Sequence, residues 1–200
     1  MTRGPAPRLQ GSPTPADHLS PAYGVVRSSN GPGRCTIDNK ARKGALIEAL
    51  RANGVEAVAA LQRVPADRFA KGCYENGWSA REILAHVAAI EWTYPKLLEL
   101  PARDPNPAGV LRRNVAPEVG SRMDGYNARQ VEKRSGMTVA ELVAEFQRNR
   151  ATTIAAMDAA EPAVFGRAVE SFGGFQGALA DVIEAVAVQH VRGHAADLTG

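Results

Sequence analysis

The sequence predicts an all-α protein, a four-helix bundle with a long connection between its second and third helices. Three observations predict it. Apolar residues recur at three- and four-residue spacing in four segments of roughly 20 residues each. Two of those segments open on a capping box, Ser79 with Glu82 and Thr138 with Glu141, where hydroxyl and carboxylate satisfy each other's orphan amides. Nowhere does the chain alternate apolar and polar residues as a half-buried strand does, and it contains no internal repeat.

The first helix is expected from about Asp38 to Arg63, with Leu46, Ile47, Leu50, Val58 and Leu61 near one face. Gly54 is a point where it can bend. The second starts at Ser79 and buries Ile83, Val87, Ile90 and Leu97. Pro95 has no amide to offer the Glu91 carbonyl, so this helix should kink or end there. Residues 101–122, rich in Pro, Gly and Arg, read as a long loop of the kind that often serves as a lid. A short helix is expected from about Tyr126 to Arg134. The third long helix follows Thr138, with Val139, Leu142, Val143, Phe146, Ile154 and Met157 on or near its inner face. Pro162 and the Gly173-Gly174 pair bound the next connector. The fourth helix covers about Phe175 to Asp197. Its inner face carries Leu179, Val182, Ile183, Val186, His190 and His194, and its outer face Asp181, Glu184 and Arg192.

Residues 1–37 hold six of the thirteen prolines and five glycines with almost no apolar period, and read as a disordered extension. Residues 38–200 are the expected domain. The charge is divided the same way. The extension carries four arginines against Asp17, whereas the domain carries 20 basic and 20 acidic side chains, so the pI near 9.1 does not signal a nucleic-acid surface. No run of about 18 apolar residues is present, so no membrane span is expected. Cys35 and Cys73 are isolated, without C-x-x-C spacing, which fits reduced thiols and a cytoplasmic location.

The chemistry sits in the histidines. Of four in the chain, His86 lies within the apolar second helix, and His190 and His194 are one turn apart on the last. A lone histidine on an apolar face is commonly a hydrogen-bonded core residue. Three on inward faces of a bundle are expected to build a three-nitrogen metal site with open positions, suited to Zn, Ni, Fe(II) or Cu and not selecting among them. Such a metal activates a water or a thiolate. Tyr94, two turns beyond His86, and Asn127, after the long loop, are candidate substrate contacts. Glu91, about 140° around the helix from His86, is expected to face solvent or a neighbouring helix. Trp78 and Trp92 read as packing residues. The chain has no G-x-G-x-x-G, P-loop, H-E-x-x-H or G-x-S-x-G motif.

The run Gly77-Trp78-Ser79-Ala80-Arg81-Glu82-Ile83-Leu84-Ala85-His86 resembles the second-helix signature of the DinB/YfiT-like superfamily, and His190-x3-His194 resembles its terminal signature. The resemblance covers about residues 38–200. Residues 126–150 are also similar to the ClbS/DfsB branch and to the metal-binding domain of mycothiol-dependent maleylpyruvate isomerases. The resemblance implies a four-helix bundle, often dimeric, with a divalent metal held by His86, His190 and His194. It also implies a thiol-dependent transferase or isomerase, or a metal-dependent hydrolase, acting on a small electrophile, with a low-molecular-weight thiol as possible co-substrate. Its alternative is a non-catalytic small-molecule-binding or stress-protection protein of the ClbS/DfsB kind. The expected partners are a small-molecule substrate and a second copy of the chain, with neither nucleic acid nor membrane.

Overall fold

The computed structural model describes residues 35–72, 77–99, 123–170 and 176–199. The expected extension up to residue 34, the expected loop at 101–122 and Cys73 lie outside them. Helix α1 spans Cys35–Arg63, α2 Ala80–Glu91, α3 Tyr94–Glu99, α4 Met123–Glu132 and α5 Val139–Ala159. The last helical stretch is α6, Leu179–Ile183, then a π-helical turn, Glu184–Gln189, then α7, His190–Thr199. Short 3-10 turns at Ala66–Ala70 and Pro162–Gly166 complete the helical structure.

Both capping boxes form as the sequence predicts, and they fix where α2 and α5 start. Gly77, at φ 75°, adopts a backbone conformation that side-chain-bearing residues rarely take, and so turns the chain into the first box. The effect of Pro95 is also local and legible. Helix α2 ends at Glu91, two residues intervene, and α3 restarts with Pro95 in its first turn. The Glu91 carbonyl that Pro95 cannot serve accepts instead the buried Thr153 hydroxyl of α5, at 3.2 Å.

The expectation of no strands is corrected. Strands β1, Ala168–Glu170, and β2, Gln176–Ala178, pair antiparallel, with Val169 opposite Gly177. Each strand has three residues, and Val169 is the one buried among those whose burial is described, too little for alternation to register. The Gly173-Gly174 pair, expected to bound a connector, lies outside the described residues. The Leu179 amide donates to Arg167 O at 2.8 Å and joins the hairpin to α6.

The core is two apolar clusters. One contains Leu46 and Leu50 of α1, Leu97 and Leu98 of α3, Met157 of α5 and Leu179 to Val188 of the last helix. The other contains Ala57, Leu61, Ile83, Leu84, Val131, Leu142, Phe146, Val191 and Leu198. Helix α1 and the last helix pass from the first cluster to the second, whereas α2 and α5 run the opposite way. Leu98 of α3 and Val131 of α4 belong to opposite clusters, and the long connection expected between them lies outside the described residues.

Between the clusters lies a polar layer. Arg150 of α5, 4% exposed, donates from Nε to Glu91 Oε2 at 2.9 Å and from Nη2 to Oε1 at 2.5 Å. Its Nη1 donates to Leu50 O and Asn53 Oδ1 of α1, and Nη2 also to Ala187 O of the π turn. One guanidinium thus ties together all four long helical segments, in the bidentate geometry that carboxylate recognition favours. Burial raises the pKa of the Glu91 carboxyl to about 7, the Arg150 guanidinium pulling against that rise without cancelling it. Glu91 is therefore completely buried against a neighbouring helix, and its expected solvent-facing alternative is corrected.

Candidate metal centre

Helix α2 carries His86 and α7 carries His190 and His194, and the three rings converge. His190 Nε2 lies 3.4 Å from His86 Nε2 and 2.9 Å from His194 Nε2. One candidate ligand atom from each ring falls within 4.8 Å of the others, and this is the group of potential metal ligands found among the described residues. The rings meet edge to face, with centroids 4.4 to 5.3 Å apart.

These spacings can be tested against a metal and against a hydrogen-bonded cluster. A single ring nitrogen carries either one hydrogen or one lone pair. His190 Nε2 faces two other nitrogens, so a hydrogen-bonded chain cannot satisfy both contacts. All three Nδ1 atoms are buried without a hydrogen-bond partner, so the opposite sides of the rings offer no compensation. A cation between the Nε2 atoms would take three lone pairs at once. With metal–nitrogen bonds of about 2.0–2.1 Å, the two observed separations correspond to ligand angles of about 90° and 110°. The residues fit a divalent transition metal.

The protonation states agree. Burial, then the neighbouring His190 and His194, lowers the His86 pKa to about 3. Burial lowers those of His190 and His194 to about 4, His190 being lowered further by His194 and raised against this by the Val186 carbonyl. All three are neutral at pH 7 with lone pairs available. A consequence is measurable in chelator-treated protein. Each folded pKa lies below the 6.5 of a free imidazole, so the unfolded chain takes up protons that the folded one refuses. Stability is fully present above pH 6.5 and is lost as pH falls through 4 toward 3, each imidazole adding a slope of up to about 1.4 kcal/mol per pH unit. Urea titrations across that window should show a shallower slope when the three histidines are replaced. An identical slope would contradict the assignment.

The helical phase of the pair differs from the sequence expectation. There, His190 and His194 continue the inner face of Leu179, Val182 and Ile183. Here Val191 and Leu198 fill that face, and both histidines are half-buried, with 21% of the His194 side chain exposed. The π turn causes the change, because one residue accommodated without advancing the helix shifts everything after it by about 100°. The pair moves from the centre of the core to its flank, towards His86 and within reach of solvent.

The remaining site residues divide. Trp78 packs against the His86 ring, with centroids 5.6 Å apart, and also lines a cleft of about 300 Å³ with Arg81, Glu82, Ala128, Val131, Glu132 and Ser135. Asn127 is half-buried on α4, the helix packed along α2 beside this cleft. Tyr94 lies in the core, 2% exposed, and its hydroxyl donates to Val186 O at 2.5 Å. Its hydroxyl is thus engaged with backbone and not presented to the cleft. Trp92, expected to pack, is 37% exposed with the Lys96 ammonium 3.8 Å above its ring. Sequence reasoning missed Arg150. Its signal was a cation on the apolar stripe Leu142, Phe146, Arg150, Thr153, Met157, with Glu91 standing at a matching stripe position of α2.

A family model described as the DinB superfamily matches residues 49–198, a span that contains all three histidines. No curated protein and no solved structure matches the chain.

Proposed function

The chain belongs to the DinB superfamily, and from that premise we propose a metal-dependent enzyme that joins a low-molecular-weight thiol, or water, to a small electrophilic molecule. The observation that carries this reading is the convergence of the three Nε2 atoms at the flank of the core. On this reading α1, α2, α5 and the α6–α7 stretch form the four-helix bundle of the family, and His86, His190 and His194 hold Zn, Ni or Fe(II). Bound there, the cation supplies Lewis-acid activation of the nucleophile. The histidines themselves stay neutral because they are buried. Three protein ligands leave positions open, and the partial exposure of His194 gives those positions a route to solvent. Trp78 forms a wall shared by the triad and the cleft, where an apolar body of the substrate would rest, and Asn127 on α4 is the proposed polar contact. No helix among the described residues is long and apolar enough to cross a membrane. A cytoplasmic homodimer is the setting we propose.

The test is thiol consumption and hydrolysis with a panel of epoxides, Michael acceptors and activated esters. Metal-loaded protein should accelerate at least one of these reactions, and chelation or loss of the three histidines should remove the acceleration. Saturable binding of the same compounds without turnover would contradict the enzyme reading and favour a protein that sequesters a reactive small molecule.

A further inference from the structure

The π turn before the histidine pair is held open by side chains of other helices. In a regular α-helix the His190 amide would donate to Val186 O, four residues back. Here it donates to Ala185 O, five back. Val186 O is thereby released, and the Tyr94 hydroxyl of α3 takes the vacated place at 2.5 Å. The next carbonyl, Ala187 O, accepts from Arg150 Nη2 at 2.9 Å. Buried carbonyls need partners, and the regular helix would offer Val186 O one of its own. The Tyr94 hydroxyl therefore favours the π form over the α form at the segment that sets the direction of His190 and His194.

We propose that Tyr94 is a positioning residue for the histidine site, acting through the Val186 carbonyl and the π turn and not by touching a substrate. The inference rests on the metal reading for its consequence, and on the hydrogen bonds alone for its mechanism. Without the hydroxyl, the turn gains freedom to return toward α-helical bonding. Such a return rotates α7 by up to about 100° and carries the pair away from His86. The remaining links are consistent with a supporting role. Tyr94 is wholly within the first apolar cluster, where its ring packs whether or not the hydroxyl is present.

The test compares Tyr94→Phe with Thr153→Val. Both delete one buried hydroxyl donating to a backbone carbonyl, but Thr153 serves Glu91 O and not a carbonyl of the π turn. In chelator-treated protein, Tyr94→Phe should speed amide hydrogen exchange at residues 188–194 by about tenfold or more, with Thr153→Val leaving that segment unchanged. Zinc affinity, read by competition with a chromophoric chelator, should fall about 10–100-fold in Tyr94→Phe and less than about threefold in Thr153→Val. Unchanged exchange at residues 188–194, or equal losses in the two variants, overturns the proposal. If wild-type protein binds no zinc while exchange still quickens only in Tyr94→Phe, the metal reading fails and the support of the π turn by Tyr94 stands.

Discussion

Arg150→Ala is expected to cost roughly 3–5 kcal/mol of unfolding free energy, the range for breaking a buried ion pair from one side. The substitution leaves the Glu91 carboxylate, 0% exposed, without its bidentate partner. It also removes the donor shared by Leu50 O, Asn53 Oδ1 and Ala187 O. Against a total stability of about 5–15 kcal/mol for an ordinary domain, that loss brings the protein near its unfolding threshold. The size of the effect comes from the charge left behind more than from the attraction lost. Two desolvated charges and a well-packed apolar pair of similar volume are often close in free energy. Glu91→Leu combined with Arg150→Met should therefore recover more than half of the loss. Urea unfolding of the single and double variants decides this. A double variant as unstable as Arg150→Ala would show that the guanidinium contributes through its carbonyl contacts, not through Glu91.

The second large effect is on metal affinity. His190→Ala should weaken zinc binding by more than about 100-fold, beyond the 10–100-fold typical of residues that only support a ligand. His190 Nε2 lies 3.4 and 2.9 Å from the other two Nε2 atoms, so its removal leaves two of the three ligand nitrogens. Far-ultraviolet circular dichroism should change little, because each long helix buries apolar residues that pack without His190. Wholesale unfolding of this variant would mean that the metal supplies folding free energy and that the two clusters do not suffice.

What could be read from the chain follows the range of the interactions involved. The capping boxes were legible because both partners lie three residues apart in one segment. The break at Pro95 was legible because proline removes a known hydrogen bond, although the Thr153 hydroxyl that replaces it comes from α5 and was not. The three histidines were legible as residue types at helical positions. Their exact presentation was not, since the π turn depends on Tyr94 and Arg150, which are distant in sequence. A periodicity read at 100° per residue therefore placed His190 and His194 on the centre of the inner face, where Val191 and Leu198 belong. The same limit explains Glu91 and Arg150. Each is an anomaly in its own stripe, but only together do they make a buried pair. The short hairpin escaped because three residues per strand are too few to show a period.

The central claim is that His86, His190 and His194 together hold one divalent transition metal. Elemental analysis of purified, tag-free protein, beside a variant with all three histidines replaced by alanine, tests it most directly. The account predicts about one equivalent of Zn, Ni or Fe per chain in the wild type and none above background in the variant. Metal-free wild-type protein, even after incubation with Zn, Ni and Fe(II) and removal of unbound ions, would contradict it.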